Sequence, residues 1–546
     1  MSNQQQSNFI RQAGILAAAG FISRIIGLLY VSPLQAIIGT EGIGCYNTAY
    51  TFYTIILLIS SYSIPSAISK VIAQKLSLKE YANAHRIFKC SLYYVLVVGL
   101  LASLFLYFGA GLFVEESAIP VLRVFAPTIF LYGMLGVLRG YFQAHKTMVQ
   151  TSASQIVEQI INAIVSVLVA WIFVKMATGA IANGKDVNVA VYGAMGSAIG
   201  TGAGVIVALL FMFGIYMLNR DYFLRRVRRD RTGKLDSYRD ITKMIVGVVL
   251  PFILSTAAYN LCASLNNKLY FSIRMDLKKM EESMVNVEYG IFSEASKISN
   301  IPIAFASAMA AAIIPTVANA VAEKDMMGAR KKVYQAVKTI MLLSIPSAIG
   351  LFVLAKPIMR LLFPKENNPD LAAGVLMALA LSVIFYALST LSNSILQGIG
   401  KVNTPIKTSV IAIVVQTAVF VPVLVWTEWN IYALAIAGTV YSGVICVLNQ
   451  WAARRALNYR QEIISTFGIP AISAILMGVV ARVVYEGLYL LTKSNVIALI
   501  PAILIAAVVY FVFLILFRGV DEEELKAMPK GYMLVRAAKK MRLMKQ

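Results

Sequence analysis

Fourteen apolar segments recur along the chain, each long enough to cross about 30 Å of hydrocarbon, and that alone excludes a water-soluble globule. Their approximate limits are 10–31, 43–69, 88–112, 120–142, 153–176, 190–218, 243–272, 287–318, 334–355, 371–397, 406–427, 431–453, 463–487 and 495–517. In lipid every backbone amide must be satisfied inside the protein, and segments of this length manage it as helices. The expected fold is an all-α polytopic membrane protein with about 14 transmembrane helices. Composition agrees, since 59% of the 546 residues are hydrophobic and only 14% charged, with a mean hydropathy of +0.74. The polar start, Met1 to Asn8, has no basic residue before Arg11 and no small-residue cleavage site, so the first segment reads as a span and not a removed signal.

The chain carries 49 basic and 26 acidic residues, a net charge of +23 that in a soluble protein would suggest nucleic acid. Topology accounts for it better. With the N-terminus in the cytoplasm, 35 basic residues fall in inner loops and tails, nine in outer loops and five within spans. The positive-inside rule then predicts both termini in the cytoplasm. The most basic loop, Arg220 to Lys243, contains RRVRRDR and is expected to meet anionic membrane lipids, at about 1 kcal/mol per basic residue near the surface. No nucleic-acid partner is expected. The tail DEEELKAMPKGYMLVRAAKKMRLMKQ suits a short basic amphipathic helix on the same leaflet.

Enzyme chemistry finds little to work with. The Gly-Lys pairs at Gly184, Gly233 and Gly400 are not followed by Ser or Thr, so there is no P-loop. His85 and His145 lack metal-ligand spacing, and Cys45, Cys90, Cys262 and Cys446 stand far apart in apolar surroundings, as small core residues do. Neither a metal nor an organic cofactor is expected. Glu115 and Glu116 lie on a short outer loop, whereas a membrane polymerase or ligase of lipid-linked sugars needs a large outer loop bearing acid and base groups.

The charges inside the spans are therefore the informative residues. Arg24 sits in the middle of the first span, AAAGFISRIIGLLY, with no acidic residue within two helical turns. A central arginine costs about 2.5–3.5 kcal/mol to insert, and its counter-charge must come from another helix, from water or from an anionic ligand. Lys268 lies beside Asn266 and Asn267 in the seventh span, where it can meet the same anion or snorkel to the outer interface. Lys297 follows Glu294 by three residues, and Glu486 follows Arg482 by four, spacings that allow pairing on one helix face as well as a ligand contact for Lys297. Arg123 is close to the outer end of its span. Glu158, in the fifth span, can hold a coupling proton or sodium ion, pair with Arg24, or stand in water at the inner end. Prolines 65, 127, 251, 302, 315, 346 and 422 permit bends in or near spans. Gly193, Gly196, Gly200 and Gly204 form a small-residue face suited to close helix packing.

The chain also repeats. IPSAISKV (Ile64 to Val71) ends the second span and IPTVANAV (Ile314 to Val321) the eighth. Gln143, Thr151-Ser152 and Gln159 around the fourth-to-fifth connection are echoed by Gln397, Thr408-Ser409 and Gln416 around the tenth-to-eleventh. An offset of six spans points to two parallel six-helix halves. The runs SRIIGLLY, GTEGIGCYNTAYTFYTIILLIS, IPSAISKVIAQKL, GVLRGYFQAHKTMVQTSASQIVEQ and SILQGIGKVNTPIKTS resemble the sporulation stage V protein B and polysaccharide-exporter family. That family shares a superfamily with MATE drug exporters and MurJ-type lipid II flippases, and the stretches LRGYFQ and SQIVEQ are the most specific part of the likeness.

The resemblance implies two six-helix lobes, 1–219 and 243–456, forming a V around a central cavity. A basic cytoplasmic loop, 220–242, would join them, and two additional transmembrane helices, 457–518, and a basic tail, 519–546, would follow. It implies alternating access in a bacterial plasma membrane by a protein that works as a monomer. The implied cargo is a polyprenyl-pyrophosphate-linked oligosaccharide, lipid II or a related envelope precursor. The MurJ-type first-span motif SRxxGxxRD is matched by Ser23, Arg24 and Gly27, while Tyr30 and Val31 stand where its second arginine and its aspartate would be. Only the first arginine carries over. A pyrophosphate bears about two negative charges and needs fixed cations to cross, and a guanidinium can bind its oxygens through two donors. Arg24, Lys268 and Lys297 are thus the expected cargo contacts and Glu158 the expected coupling residue, with membrane potential, sodium or protons as the energy source. A cation-coupled drug exporter would instead call for unpaired carboxylates in the first lobe, where only Glu158 is on offer.

Overall fold

The computed structural model describes residues 19–58, 64–145, 147–232, 235–322, 324–366, 368–401, 403–459 and 461–520, together with Tyr532 and Arg536. The C-terminal tail expected to lie on the inner leaflet falls almost entirely outside them. No strand occurs among the described residues. The helices are α1 (Ala19–Leu29), α2 (Val31–Leu57), α3 (Ile64–Ser77), α4 (Tyr81–Phe108), α5 (Ala110–Phe113), α6 (Ile119–Ala144), α7 (Val149–Ala182), α8 (Val189–Arg228) and α9 (Tyr238–Ser272). They continue as α10 (Glu282–Ala322), α11 (Met326–Val353), α12 (Ala355–Leu362), α13 (Pro369–Gly398), α14 (Asn403–Trp426), α15 (Tyr432–Leu457), α16 (Ile469–Thr492) and α17 (Asn495–Leu516).

Among the described residues, ten helices are each long and apolar enough to cross a membrane, and α1 with α2, bent by 49°, makes an eleventh span. Each of the fourteen expected segments falls at least in part on described helix, α9 and α10 included, so the reading of about 14 spans is compatible with the fold. The protein is a multi-pass, all-helical membrane protein. Within α2 the chain turns again at Gly39, whose φ of +71° would strain any residue with a side chain.

Packing divides the chain into two units, residues 1–293 and 294–546. In the first, hydrocarbon supplies no force to drive helices together, so close backbone approach must do so. The glycine ladder of α8 provides it. A Cβ at Gly196 would stand 2.7 Å from the Cα of Ala170, one at Gly204 would stand 2.6 Å from the Glu158 carbonyl oxygen, and one at Gly200 would overlap Ser166. The ladder is thus the seam between α7 and α8, as its spacing suggests. Gly200→Leu is expected to force the two helices apart and to remove most of the monodisperse protein recovered in detergent, whereas the same change at Gly214, which faces open space, leaves recovery unchanged. Size-exclusion chromatography of the two variants checks this.

At one end of this unit Tyr141 packs against Phe88 (4.3 Å between ring centroids), Phe223 (4.9 Å) and His145 (4.6 Å), which ties α6 to α4 and to the end of α8. Beyond α8 the basic loop folds back. Asp236 and Glu80 both pair with Lys75, at 2.6 and 2.8 Å, and Arg86 donates to the Asp236 carbonyl. Burial works against an ionised Asp230, but donation from the Ala82 and Thr232 backbone N–H and the Thr232 hydroxyl outweighs it and holds the carboxyl below its ordinary value. This contribution is present above the ordinary carboxylate value and lost as pH falls through the lowered one.

At the other end, Lys268 on α9 pairs with Glu115 at 2.7 Å. Glu282 accepts from the Ser117 backbone N–H at 2.9 Å, and Asn286 donates to the Ser117 hydroxyl at 2.9 Å. Added side chains at Gly44 or Gly290 would overlap Asn286 and Thr40 respectively, so α2 and α10 cross there at backbone contact. These contacts are why packing puts α9 and the start of α10 with the preceding helices, although counting spans in sixes would place the division in the basic loop.

The second unit is held by polar bonds between apolar helices. Asn449 of α15 donates to Asn393 (2.6 Å) and Ser392 (3.3 Å) of α13 and accepts from Thr408 of α14 (2.8 Å), so one buried amide joins three helices. Asn495 at the start of α17 donates to the Pro357 carbonyl at 2.9 Å, and Tyr510 to that of Leu342 at 2.9 Å. A groove of about 490 Å³ runs between α11 and α16, lined by Ile349, Phe352, Val353, Ile475 and Val479, with Arg482 at its rim. Arg482 pairs with Glu486 at 2.6 Å, as the four-residue spacing predicts.

Candidate functional site

The first unit carries the charges of interest on three helices. Arg24 is exposed on α1, and among the described residues no acidic group pairs with it. Its helix is seated on α7 in parallel register. Ser23 donates to the Gln155 carbonyl at 3.5 Å, and at Gly27 a Cβ would meet Gln159 Oε1 at 3.8 Å. α7 is in turn fixed to α6 by a buried ion pair, in which Arg139 Nη2 stands 2.7 Å from Glu158 Oε2 and Arg139 Nε donates to Ser154 Oγ at 2.9 Å. Arg139 and Glu158 side chains are only 5% and 13% exposed, so both charges are withdrawn from water and depend on each other.

Glu158 is therefore partnered by Arg139, not by Arg24. Sequence reading counted Arg139 with the inner loop and so missed it. The signal was weak: Arg139 lies five residues before the end of α6 and Glu158 nine after the start of α7, an offset of about one turn that only two long side chains can bridge. The two most family-like stretches thus have a physical role. In LRGYFQ, Arg139 makes the pair, Gly140 lets the helix approach the Pro65 backbone (2.8 Å from an added Cβ), and Tyr141 centres the aromatic cluster. In SQIVEQ, Ser154 and Glu158 receive Arg139 while Gln155 and Gln159 support α1.

The other expected contacts sit apart from Arg24. Lys268 is half-exposed and held by Glu115, with side chains 44% and 25% exposed. A pair this wet is worth about 0–1 kcal/mol. Lys268→Ala is expected to leave the thermal midpoint in detergent within a few degrees of wild type, and combining Lys268→Glu with Glu115→Lys restores whatever transport either single reversal removes. Lys297 lies in the second unit, and among the described residues no ion pair joins it to Glu294. Arg123 is exposed, donates to the Tyr107 carbonyl at 3.3 Å and lies over that ring at 5.7 Å, an arrangement of a helix end. All four cysteines are free, and no cluster of metal-binding side chains occurs among the described residues.

What the site can do chemically is bind an anion. One guanidinium, without a carboxylate partner among the described residues, stands on a helix seated against α7, and its planar fork of donors suits phosphate oxygens.

The lipid II flippase MurJ of Bacillus subtilis (strain 168) is 24% identical over 451 residues, covering 77% of this chain and 78% of its own. Stage V sporulation protein B of the same organism is 20% identical over 533 residues, 96% of this chain and 98% of its own. Among solved structures, a lipid II flippase MurJ in an inward closed conformation matches with a TM-score of 0.63 at 17% identity, over 92% of this chain and 98% of its own. An inward-facing multidrug resistance MATE transporter matches with a TM-score of 0.64 at 18% identity, over 80% of this chain and 94% of its own. These likenesses show that the fold is the one shared by MurJ and MATE proteins. The MatE family matches residues 288–423. The polysaccharide biosynthesis protein family matches residues 9–321, more than half of the chain, and the protein belongs to that family.

Proposed function

We propose that the protein is a flippase that carries a polyprenyl-pyrophosphate-linked oligosaccharide, lipid II or a related envelope precursor, from the inner to the outer leaflet of a bacterial plasma membrane. The observation that carries this reading is Arg24, an exposed guanidinium on a membrane helix with no ion-pair partner among the described residues, in a member of the polysaccharide biosynthesis family. A pyrophosphate crosses hydrocarbon only against fixed positive charge, and an arginine kept in a span without a carboxylate is suited to that ligand and to little else. Two of the named relatives, the lipid II flippase MurJ and the MATE transporter, are transporters by name. In this reading the two six-helix lobes alternate access to a central cavity, both termini are cytoplasmic, the basic loop meets anionic lipid, and Lys268 and Lys297 are secondary contacts for the headgroup.

The test is transbilayer movement of lipid II in proteoliposomes, with a membrane potential of either sign. Movement by wild type and its loss in Arg24→Ala support the reading. Failure with lipid II but success with another polyprenyl-pyrophosphate sugar keeps the mechanism and changes the glycan. The MatE match over residues 288–423 favours a second reading, cation-coupled drug export. Export of cationic dyes with no movement of any lipid-linked sugar would establish that one instead.

A further inference from the structure

Glu294 is a carboxyl inside an apolar span with no hydrogen-bond donor among the described residues. It lies in α10 and is fully buried, and neither of its oxygens accepts a hydrogen bond among the described residues. Such a group is costly to keep as an anion. Two charged groups reach it: Lys297, one turn along the same helix, and Glu366, in the segment between α12 and α13. Glu366 is itself engaged by the Asn368 backbone N–H at 3.0 Å. A bound metal cation would need several oxygen ligands arranged around it, whereas Glu294 has an ammonium on its own helix and one further carboxyl, Glu366, that is already engaged, a set better suited to a proton than to a metal ion. Its counterpart Glu158, the carboxyl weighed for coupling from the sequence, is engaged by Arg139 and has no such freedom.

We infer that Glu294 is the proton site of the transport cycle, with Lys297 as the fixed charge that sets its readiness to release. The carboxylate takes one proton from water on one side of the membrane, is occluded as the neutral acid while buried, and returns the proton to water on the opposite side, with no change in oxidation of any group. The Lys297 ammonium is the ion-pair partner that the carboxylate regains on deprotonation, so the pair is broken and remade once per cycle. The inference rests on the flippase reading only for what is driven, not for the proton site itself.

Infrared difference spectra of detergent-solubilised wild type, stepped from alkaline to mildly acidic buffer without any lipid substrate, are expected to show the carbonyl stretch of a buried protonated carboxyl. Glu294→Gln loses the band, and Glu294→Asp shifts it. In proteoliposomes carrying lipid II, an imposed pH gradient accelerates wild-type movement and has no effect on Glu294→Gln, which still moves the lipid. Should Glu294→Gln fail to fold, the wild-type band and its shift in Glu294→Asp decide the matter. Absence of the band in wild type, its persistence in Glu294→Gln, or a response to a sodium gradient in place of a pH gradient would overturn the inference. A band that behaves as expected while no lipid-linked sugar moves leaves the proton site standing and removes the flippase reading.

Discussion

Arg24→Ala is expected to abolish movement of the lipid-linked substrate while leaving the protein as stable as wild type, or more so. The two halves of this result come from different physics. A charge-assisted hydrogen bond to phosphate is worth about 1.5–3 kcal/mol, which is about tenfold to a hundredfold in apparent affinity for each one lost. Arg24 has no carboxylate partner among the described residues, so its removal orphans no buried charge and relieves an insertion cost of about 2.5–3.5 kcal/mol. Arg24→Lys keeps the charge without the planar fork, and should retain part of the transport. The check is the flip rate per folded molecule beside the thermal midpoint in detergent. Equal losses of both would mean that Arg24 serves packing and not cargo.

Glu158→Ala should behave in the opposite way. It leaves the Arg139 guanidinium buried without a counter-ion, a change that costs about 3–5 kcal/mol, whereas replacing both partners by apolar residues is nearly neutral. The single variant is therefore expected to lose much of its folded yield and several degrees of thermal stability. Arg139→Met combined with Glu158→Leu recovers most of both. Because α7 supports α1 through Gln155 and Gln159, the double variant also tests whether the pair holds Arg24 in position: transport per folded molecule falls if it does, without a change in stability. A double variant as unstable as the single one would show that the two residues act separately.

Helices were legible from sequence because segment length and hydrocarbon thickness leave no alternative, and the glycine ladder because only close backbone contact makes sense of four small residues on one face. Pairing was legible where it was local, as for Arg482 and Glu486, and illegible where it joined helices. Arg139 lies inside the segment 120–142 yet counts among the inner-side basic residues, because a cation near the inner end of a span has the same sequence signature whether it snorkels to water or pairs with a neighbouring helix. Lys297 and Glu294 show the reverse error: their spacing permits a pair, but among the described residues none forms, since spacing fixes a face and not a rotamer. The bend between α1 and α2 and the short helix α12 left no mark in composition. The unit boundary at residues 293 and 294 depends on contacts between Ser117, Glu282 and Asn286, separated by more than a hundred residues, which no local pattern reveals.

α8 has a practical consequence. It is a single helix of 40 residues, about 60 Å long, and its last turns, Asn219 to Arg228, extend about 15 Å past the apolar portion. Most of a membrane protein of this size vanishes inside its detergent belt, which leaves particle images without landmarks. A projecting rod, braced at its tip by Phe223 against Tyr141 and by the folded-back Asp230 and Asp236, offers a rigid stem on which a helical fiducial can be spliced in register. Images aligned on such a fiducial would allow the conformations of the cycle to be sorted without locking any of them.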